Sequence, residues 1–343
     1  MSAIVIHAAK DLRIEKREAG EPGPGEVRVR TAIGGICGSD LHYYNDGGLG
    51  TAHLREPMVL GHEVSGRVDK LGAGVSGLRE GDLIAVSPSR PCRACGYCLR
   101  GLLNHCENMR FYGSAMPFPH IQGAFSQSLV TGAAQCAPAG DLTPGEAAMA
   151  EPLAVGLHAV RRAGDLLGKR ILVTGCGPIG ALAILAARRA GAGEIIATDL
   201  SGYALDFAKH VGADVAINMA EEPEALEAYA AGKGTIDTLI ECSGATTVLA
   251  QALPCLRPRG VLVQLGLGGE MPVPMMTITA KEIELRGSFR FHEEFHTGID
   301  LMRKGLIDVT PLITDTKPLA EACEAFELAG NRNQAMKVQL NFA

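Results

Sequence analysis

The chain has no tryptophan, and aromatic residues make up only 4% of its 343 positions. Its core must therefore be aliphatic, and a hydrophobic content of 47% supplies enough of it. An excess of positive charge is also missing: 32 Lys and Arg face 38 Asp and Glu, a formal net charge of -6. That balance argues against nucleic acid as a partner. No apolar run approaches the roughly 18 residues of a membrane span. Residues 1–16 are mixed and charged early, without the apolar stretch of a secretory signal. A cytoplasmic protein with no membrane partner is expected. At roughly 150 residues per domain, the length predicts two domains.

Ten cysteines are present, and in a reducing compartment they do not form a disulfide framework. Cys136, Cys176, Cys242, Cys255 and Cys323 stand alone in apolar or glycine-rich surroundings and read as packing residues. The other five carry chemistry. Cys37 opens Cys37-Gly38-Ser39-Asp40-Leu41-His42, and Gly61-His62-Glu63 follows after an insert. Thiol, imidazole and carboxylate can converge on one metal ion. The spacing is too long for a zinc finger and suits a catalytic site, which gathers ligands from distant loops and keeps one position open. On these residues alone, a buried apolar Cys37 is the competing reading. Cys92, Cys95, Cys98 and Cys106 form C-x2-C-x2-C-x7-C. Four thiols so close suit a closed tetrahedral zinc site. The rivals are unligated thiols or an iron–sulfur cluster, whose shorter spacing lacks the seven-residue gap. Arg90, Arg93 and Arg100 are near enough in sequence to offset the thiolate charge.

Residues 4–34 alternate apolar and polar, as in Val27-Arg28-Val29-Arg30, and segments 64–71 and 83–87 continue that pattern between glycine turns. A compact, barrel-like β domain is predicted. From about Ala154 the period changes. A strand over 169–174 leads into Gly175-Cys176-Gly177-Pro178-Ile179-Gly180, a helical run to Ala190, and a strand ending at Asp199. In that strand–loop–helix–strand–acid order, G-x-G-x-x-G is a dinucleotide fingerprint. Gly175 allows the tight turn, Gly177 the approach of pyrophosphate, and Gly180 close helix–strand packing. Asp199 would accept from the adenosine ribose hydroxyls and repel a 2′-phosphate, favouring NAD over NADP. Strands at 213–217, 237–241, 260–265 and 283–287 complete six, the number in a doubly wound dinucleotide domain. The tail 336–342 alternates like a strand and should rejoin the N-terminal domain. The expected division is 1–152 plus 288–343 for the catalytic domain and 153–287 for the dinucleotide domain.

Taken together, these residues resemble the zinc-dependent medium-chain dehydrogenase/reductase family, in its polyol dehydrogenase branch. The markers are the Cys37–His42 run, Gly61-His62-Glu63, the four-cysteine lobe, Glu151-Pro152-Leu153, the glycine loop and Gly287-Ser288-Phe289-Arg290. The resemblance implies an α/β fold, with a doubly wound parallel (Rossmann) sheet inserted into a β-rich, GroES-like barrel catalytic domain. It implies NAD and two zinc ions per chain, with Cys37 and His62 as catalytic zinc ligands. Glu63 is the third ligand in sorbitol dehydrogenase-like sites. Glu151 sits where other members place a ligand or a carboxylate close to the metal, and the choice between the two stays open. Ser39 and His42 match a proton relay. Tyr43, Phe111, Ser114, His120 and Arg290 are the expected substrate contacts, with Arg290 and His120 together meeting a carboxylate. The expected substrate is a small sugar acid or polyol: L-idonate oxidised at C5 to 5-dehydrogluconate, with a sorbitol- or xylitol-type polyol as the alternative. A homotetramer or homodimer is implied. Two departures stand out. Ala204 replaces an arginine common in NAD-specific relatives, and Phe291 replaces the tyrosine of sorbitol dehydrogenases.

Overall fold

A computed structural model describes residues 1–343, the side chain of Leu49 excepted. The chain forms two compact units, Met1–Glu151 with Phe295–Asn331 and Lys337–Ala343, and Pro152–Glu294 with Arg332–Met336. The return to the first unit falls at Phe295, a few residues past the expected boundary. Residues 332–336 go with the second unit, where Ser201 Oγ donates to Asn333 Oδ1 at 2.7 Å and Tyr203 Oη donates to the Gln334 carbonyl at 3.0 Å.

The first unit is built on a seven-stranded sheet. Its order is Cys136–Pro138, Leu83–Val86, Glu63–Leu71, Glu26–Gly35, Lys337–Asn341 and Ile313–Pro318, with Ser128–Gly132 also paired to Glu26–Gly35. Val27, Val29 and Thr31 are buried while Arg30 is exposed, so the sequence alternation is the two faces of this strand. Register shifts at Arg28/Val29 and Thr31/Ile33 bend it. The tail strand pairs antiparallel with Glu26–Gly35 and parallel with Ile313–Pro318. Gly61 has φ +91, and a Cβ there would lie 2.0 Å from the buried Phe125 ring. Only glycine lets the chain turn over that ring into His62.

The second unit holds a six-stranded sheet, in the order Val215–Asn218, Glu194–Asp199, Arg170–Thr174, Ile236–Glu241, Leu256–Gln264 and Glu284–Gly287. All neighbouring strands are parallel. The order is doubly wound and reverses beside Arg170–Thr174, where such sheets bind ligands beyond their carboxyl ends. Leu172, Ile196, Leu239 and Leu262 are fully buried in it, as expected of strands covered on both faces. Among the described residues, no helix is long and apolar enough to cross a membrane.

Candidate metal centres and nucleotide loop

Cys37 is the N-cap of the helix Gly38–Asp46, with Asp40 at N3 closing a capping box. Asp40 is fully buried. Its Oδ2 accepts from the Cys37 N–H at 3.0 Å and its Oδ1 from the Gly61 N–H at 3.1 Å. One carboxylate thus ties the loop of Cys37 to the loop of His62. Ligand atoms of Cys37, His62 and Glu63 all lie within 4.8 Å of one another. His62 Nδ1 is buried without a hydrogen-bond partner, 3.7 Å from Asp40 Oδ1. Burial opposes a charged His62, but Asp40, Cys37 and Glu151 outweigh it and hold its proton well above the usual imidazole range. A thiol, an imidazole and a carboxylate whose ligand atoms all lie within 4.8 Å of one another fit zinc with one open position.

Glu151 falls outside that group of three. It lies buried in the first turn of the helix Ala150–Ala163. Burial above all pushes it up to about 7, with Glu63 and Asp40 adding to the shift and His62 and Lys337 opposing it. Glu63 has its own cation. Lys337 Nζ, buried at the start of the tail strand, donates to Glu63 Oε1 at 2.9 Å and Oε2 at 2.8 Å, and to the Ile36 carbonyl at 3.2 Å. Asp40 and Lys337 carry no role in the sequence reading. Asp40 could have been found as a capping residue three positions after Cys37. Lys337 gives no such signal, because in an alternating tail it reads as a solvent-facing lysine.

The four lobe thiols also lie within 4.8 Å of one another. The Cys92 N–H donates to Cys106 Sγ at 3.1 Å, and the Cys95 N–H to Cys92 Sγ at 3.4 Å. Backbone donors from Ala94 and Cys95 bring Cys92 down to about 6, while burial pushes Cys98 up to about 12. The donor set is that of a closed zinc site.

Ser39 is half-buried, and His42 is exposed one turn further along the same helix, its Nδ1 3.2 Å from Asp46 Oδ2. Phe111 packs on His62, ring centroids 5.6 Å apart. Tyr43 Oη accepts from the Ala115 N–H at 3.0 Å, and Ser114 Oγ from the Met116 N–H at 3.3 Å. His120 differs from expectation. Its Nε2 accepts from the Arg55 N–H at 2.9 Å, and its Nδ1 pairs with the Pro117 carbonyl at 3.1 Å. Both nitrogens staple loops together, so the ring keeps no donor for a substrate carboxylate.

In the second unit, Gly175 has φ +82, and a Cβ there would meet Ser243 N at 2.7 Å. A Cβ on Gly180 would lie 1.8 Å from the Gly175 carbonyl oxygen. Gly177, the N-cap of the helix Pro178–Arg189, faces open space, and a methyl placed there would have nothing within 4 Å. A cradle left clear over a helix N-terminus fits a pyrophosphate. Ile179 follows Pro178 in the first turn. Asp199 Oδ2 accepts from the Cys176 N–H at 2.6 Å, and its Oδ1 from Leu200 and Ser201 N–H at 2.7 and 2.9 Å. Three donors fix the carboxylate and leave acceptor capacity, since it offers about four lone-pair sites. Ala204 is buried. Arg290 takes φ +55 and sets its guanidinium 4.9 Å from the Phe289 ring centroid, while Phe291 is buried.

Residues 23–141 match the alcohol dehydrogenase GroES-like domain, and residues 178–304 match the zinc-binding dehydrogenase domain. The chain is 44% identical over 320 residues to L-idonate 5-dehydrogenase (NAD(P)(+)) of Escherichia coli (strain K12), covering 92% of this chain and 91% of that one. It is 38% identical over 343 residues to sorbitol dehydrogenase of Gallus gallus, covering 98% and 95%. The crystal structure of the Escherichia coli L-idonate 5-dehydrogenase superposes with a TM-score of 0.95 at 41% identity, over 99% of this chain and 97% of that one.

Proposed function

The chain belongs to the zinc-binding dehydrogenase family, and from that premise we propose that it oxidises L-idonate at C5 to 5-dehydrogluconate with NAD. The observation that carries the chemistry is the convergence of Cys37, His62 and Glu63 within 4.8 Å. The choice of substrate is supported by the 44% identity to L-idonate 5-dehydrogenase, above the 38% to sorbitol dehydrogenase. That second likeness keeps a neutral polyol as the alternative.

In this reading Cys37, His62 and Glu63 hold a catalytic zinc, and Cys92, Cys95, Cys98 and Cys106 hold a structural one. Zinc supplies a Lewis acid that makes a nearby alcohol acidic near neutral pH. NAD supplies the hydride acceptor. Ser39 Oγ takes the hydroxyl proton, and His42, exposed beside Asp46, hands it to water. Glu151 is buried beside this centre, which pushes its carboxyl up, and it stands as a ligand or as a carboxylate close to the metal. Gly175, Gly177 and Gly180 shape the pyrophosphate cradle, and Asp199 takes the ribose hydroxyls. Arg290 offers a planar fork to a carboxylate or a pair of hydroxyls, and Tyr43, Phe111 and Ser114 complete the contacts. We place the enzyme in the cytoplasm as a homotetramer or homodimer. The test is a panel of sugar acids and polyols, with purified zinc-loaded protein read at the NADH band. A higher kcat/KM for L-idonate than for sorbitol is expected; the reverse order moves the assignment to a polyol dehydrogenase.

A further inference from the structure

Lys337 is a lysine where a lysine is costly. Its side chain is 2% exposed and that of its partner Glu63 is 1% exposed. Burying an ammonium is unfavourable unless it is paired and hydrogen-bonded. Here both conditions are met by one group, since Nζ reaches both oxygens of Glu63 and then the Ile36 carbonyl next to Cys37. Glu63 is also one of the three residues grouped around the metal position. One carboxylate therefore serves two cations, a fixed ammonium and a divalent ion. Three further anionic or ionisable groups, Cys37, Asp40 and Glu151, crowd the same region, as their mutual influence on His62 records.

We propose that Lys337 is a positioning residue for the metal centre: it holds Glu63 back, so that the carboxylate serves the ion without closing the position that substrate needs. The inference rests on the zinc-site reading above. The physics has a definite sign. A cation beside a ligand carboxylate weakens that carboxylate's pull on a second cation, because like charges repel most strongly where dielectric screening is low. Removing the ammonium frees both oxygens of Glu63 and makes the pocket more negative. Glu63 then binds the ion more tightly and competes with the alcohol for it.

The experiment uses zinc-loaded protein and Lys337→Met, Lys337→Arg, Glu63→Gln and the Lys337→Met/Glu63→Gln double variant. The first readout is release of the two zinc ions to a chelating dye. Lys337→Met should slow release of one zinc about tenfold and leave the other unchanged. Lys337→Arg, which keeps the charge, should restore the native rate. With cobalt in place of the catalytic zinc, the visible absorption of Lys337→Met should shift as a carboxylate closes on the ion. KM for the alcohol should rise. Because Lys337 acts through Glu63, adding Lys337→Met to Glu63→Gln should change zinc release little, as a double-mutant cycle would show. If Lys337→Met does not fold, the comparison of Lys337→Arg with Glu63→Gln still decides. Native-like release from Lys337→Arg with faster release from Glu63→Gln supports the proposal, and altered release from the arginine variant overturns it. Faster or unchanged release from Lys337→Met overturns it too, as does an effect that persists in the double variant. Native protein that binds only one zinc would sink the zinc-site reading itself, a distinct outcome.

Discussion

The two cysteine-bearing clusters gather similar atoms by opposite means. Cys92 and Cys106 are 14 positions apart, and the lobe is organised by backbone N–H groups pointing at sulfur. Cys37 at a helix N-cap, the adjacent His62 and Glu63 at the start of a strand, and Glu151 in the first turn of another helix come from three separate stretches, and Lys337 is 274 positions from Glu63. That cluster is organised by buried charge, with Asp40 bracing two loops and Lys337 countering a carboxylate. The lobe is closed and locally written. The other centre, in the reading proposed above, keeps one position open and draws its residues from distant parts of the chain. Closure suits a structural ion, and an open position suits chemistry.

The sharpest way to test the contrast is to remove one thiol from each. Cys37→Ser should bring NADH production to background while the far-ultraviolet circular dichroism and lobe zinc are retained. Cys95→Ser should instead lower the thermal midpoint and the yield of folded protein, because metal binding at a closed site is folding free energy. An ordered, zinc-bearing lobe in Cys95→Ser would contradict the assignment.

Acid should separate the two next. Protons compete with metal for the ligands. His62 keeps its proton well above the imidazole range, held there by Asp40, Cys37 and Glu151 against burial. Cys92 is brought down to about 6 by backbone donors. Burial pushes Cys98 of the lobe up to about 12, so each centre holds one proton-favouring ligand and, as pH falls, the two should release zinc in separate steps. Zinc appearing in a single step on a pH titration would erase the distinction.

Asp40→Asn probes the brace. Residues that orient metal ligands typically cost about 10–100-fold in metal affinity or activity when lost, and a similar fall is expected here, with lobe zinc unaffected. A smaller contrast lies within the glycine loop. Gly180→Ala drives a methyl to 1.8 Å from the Gly175 carbonyl, and overpacking of this kind destabilises by about 1–3 kcal/mol. Gly177→Ala meets open space and should leave the melting curve unchanged while weakening NADH binding about tenfold, roughly 1.4 kcal/mol. The smallest effect is expected at Asp199. Asp199→Ala should narrow the preference for NAD over NADP in kcat/KM, and equal use of both cofactors by the native enzyme would contradict the role given to that carboxylate.

What could be read in advance follows the same divide. The lobe, the glycine loop and the six parallel strands are written in short-range patterns, so spacing and period reveal them. Gly175 and Gly180 meet the local steric demands expected of them, a left-handed turn and a close helix–strand contact. Cys37 and His62 could be read as candidate ligands from residue type and spacing, but only the family likeness favoured that reading over a buried, apolar Cys37. Between Glu63 and Glu151, distances favour Glu63, which alone of the two joins Cys37 and His62 within 4.8 Å. Lys337 was invisible because a lysine in an alternating strand normally faces water, and nothing nearby in sequence says that its neighbour is a carboxylate from another strand. His120 misled for a related reason: hydrogen bonds from the Arg55 loop and from Pro117 engage a ring that its position in the chain leaves open.

The strand Lys337–Asn341 lies inside the first unit's sheet, between Glu26–Gly35 and Ile313–Pro318. Ribosomes make chains from the N-terminus, so every ligand of the open centre is synthesised long before the strand that completes its setting. During that interval Glu26–Gly35 has a bare edge where Lys337–Asn341 will pair, and unpaired edges invite wrong partners. The Rossmann segment, from Pro152 to Glu294, lies between and can condense first. In the reading proposed above, the open metal centre has its full setting only once Lys337–Asn341 has paired in the sheet, whereas the four lobe cysteines are all present once Cys106 has been made.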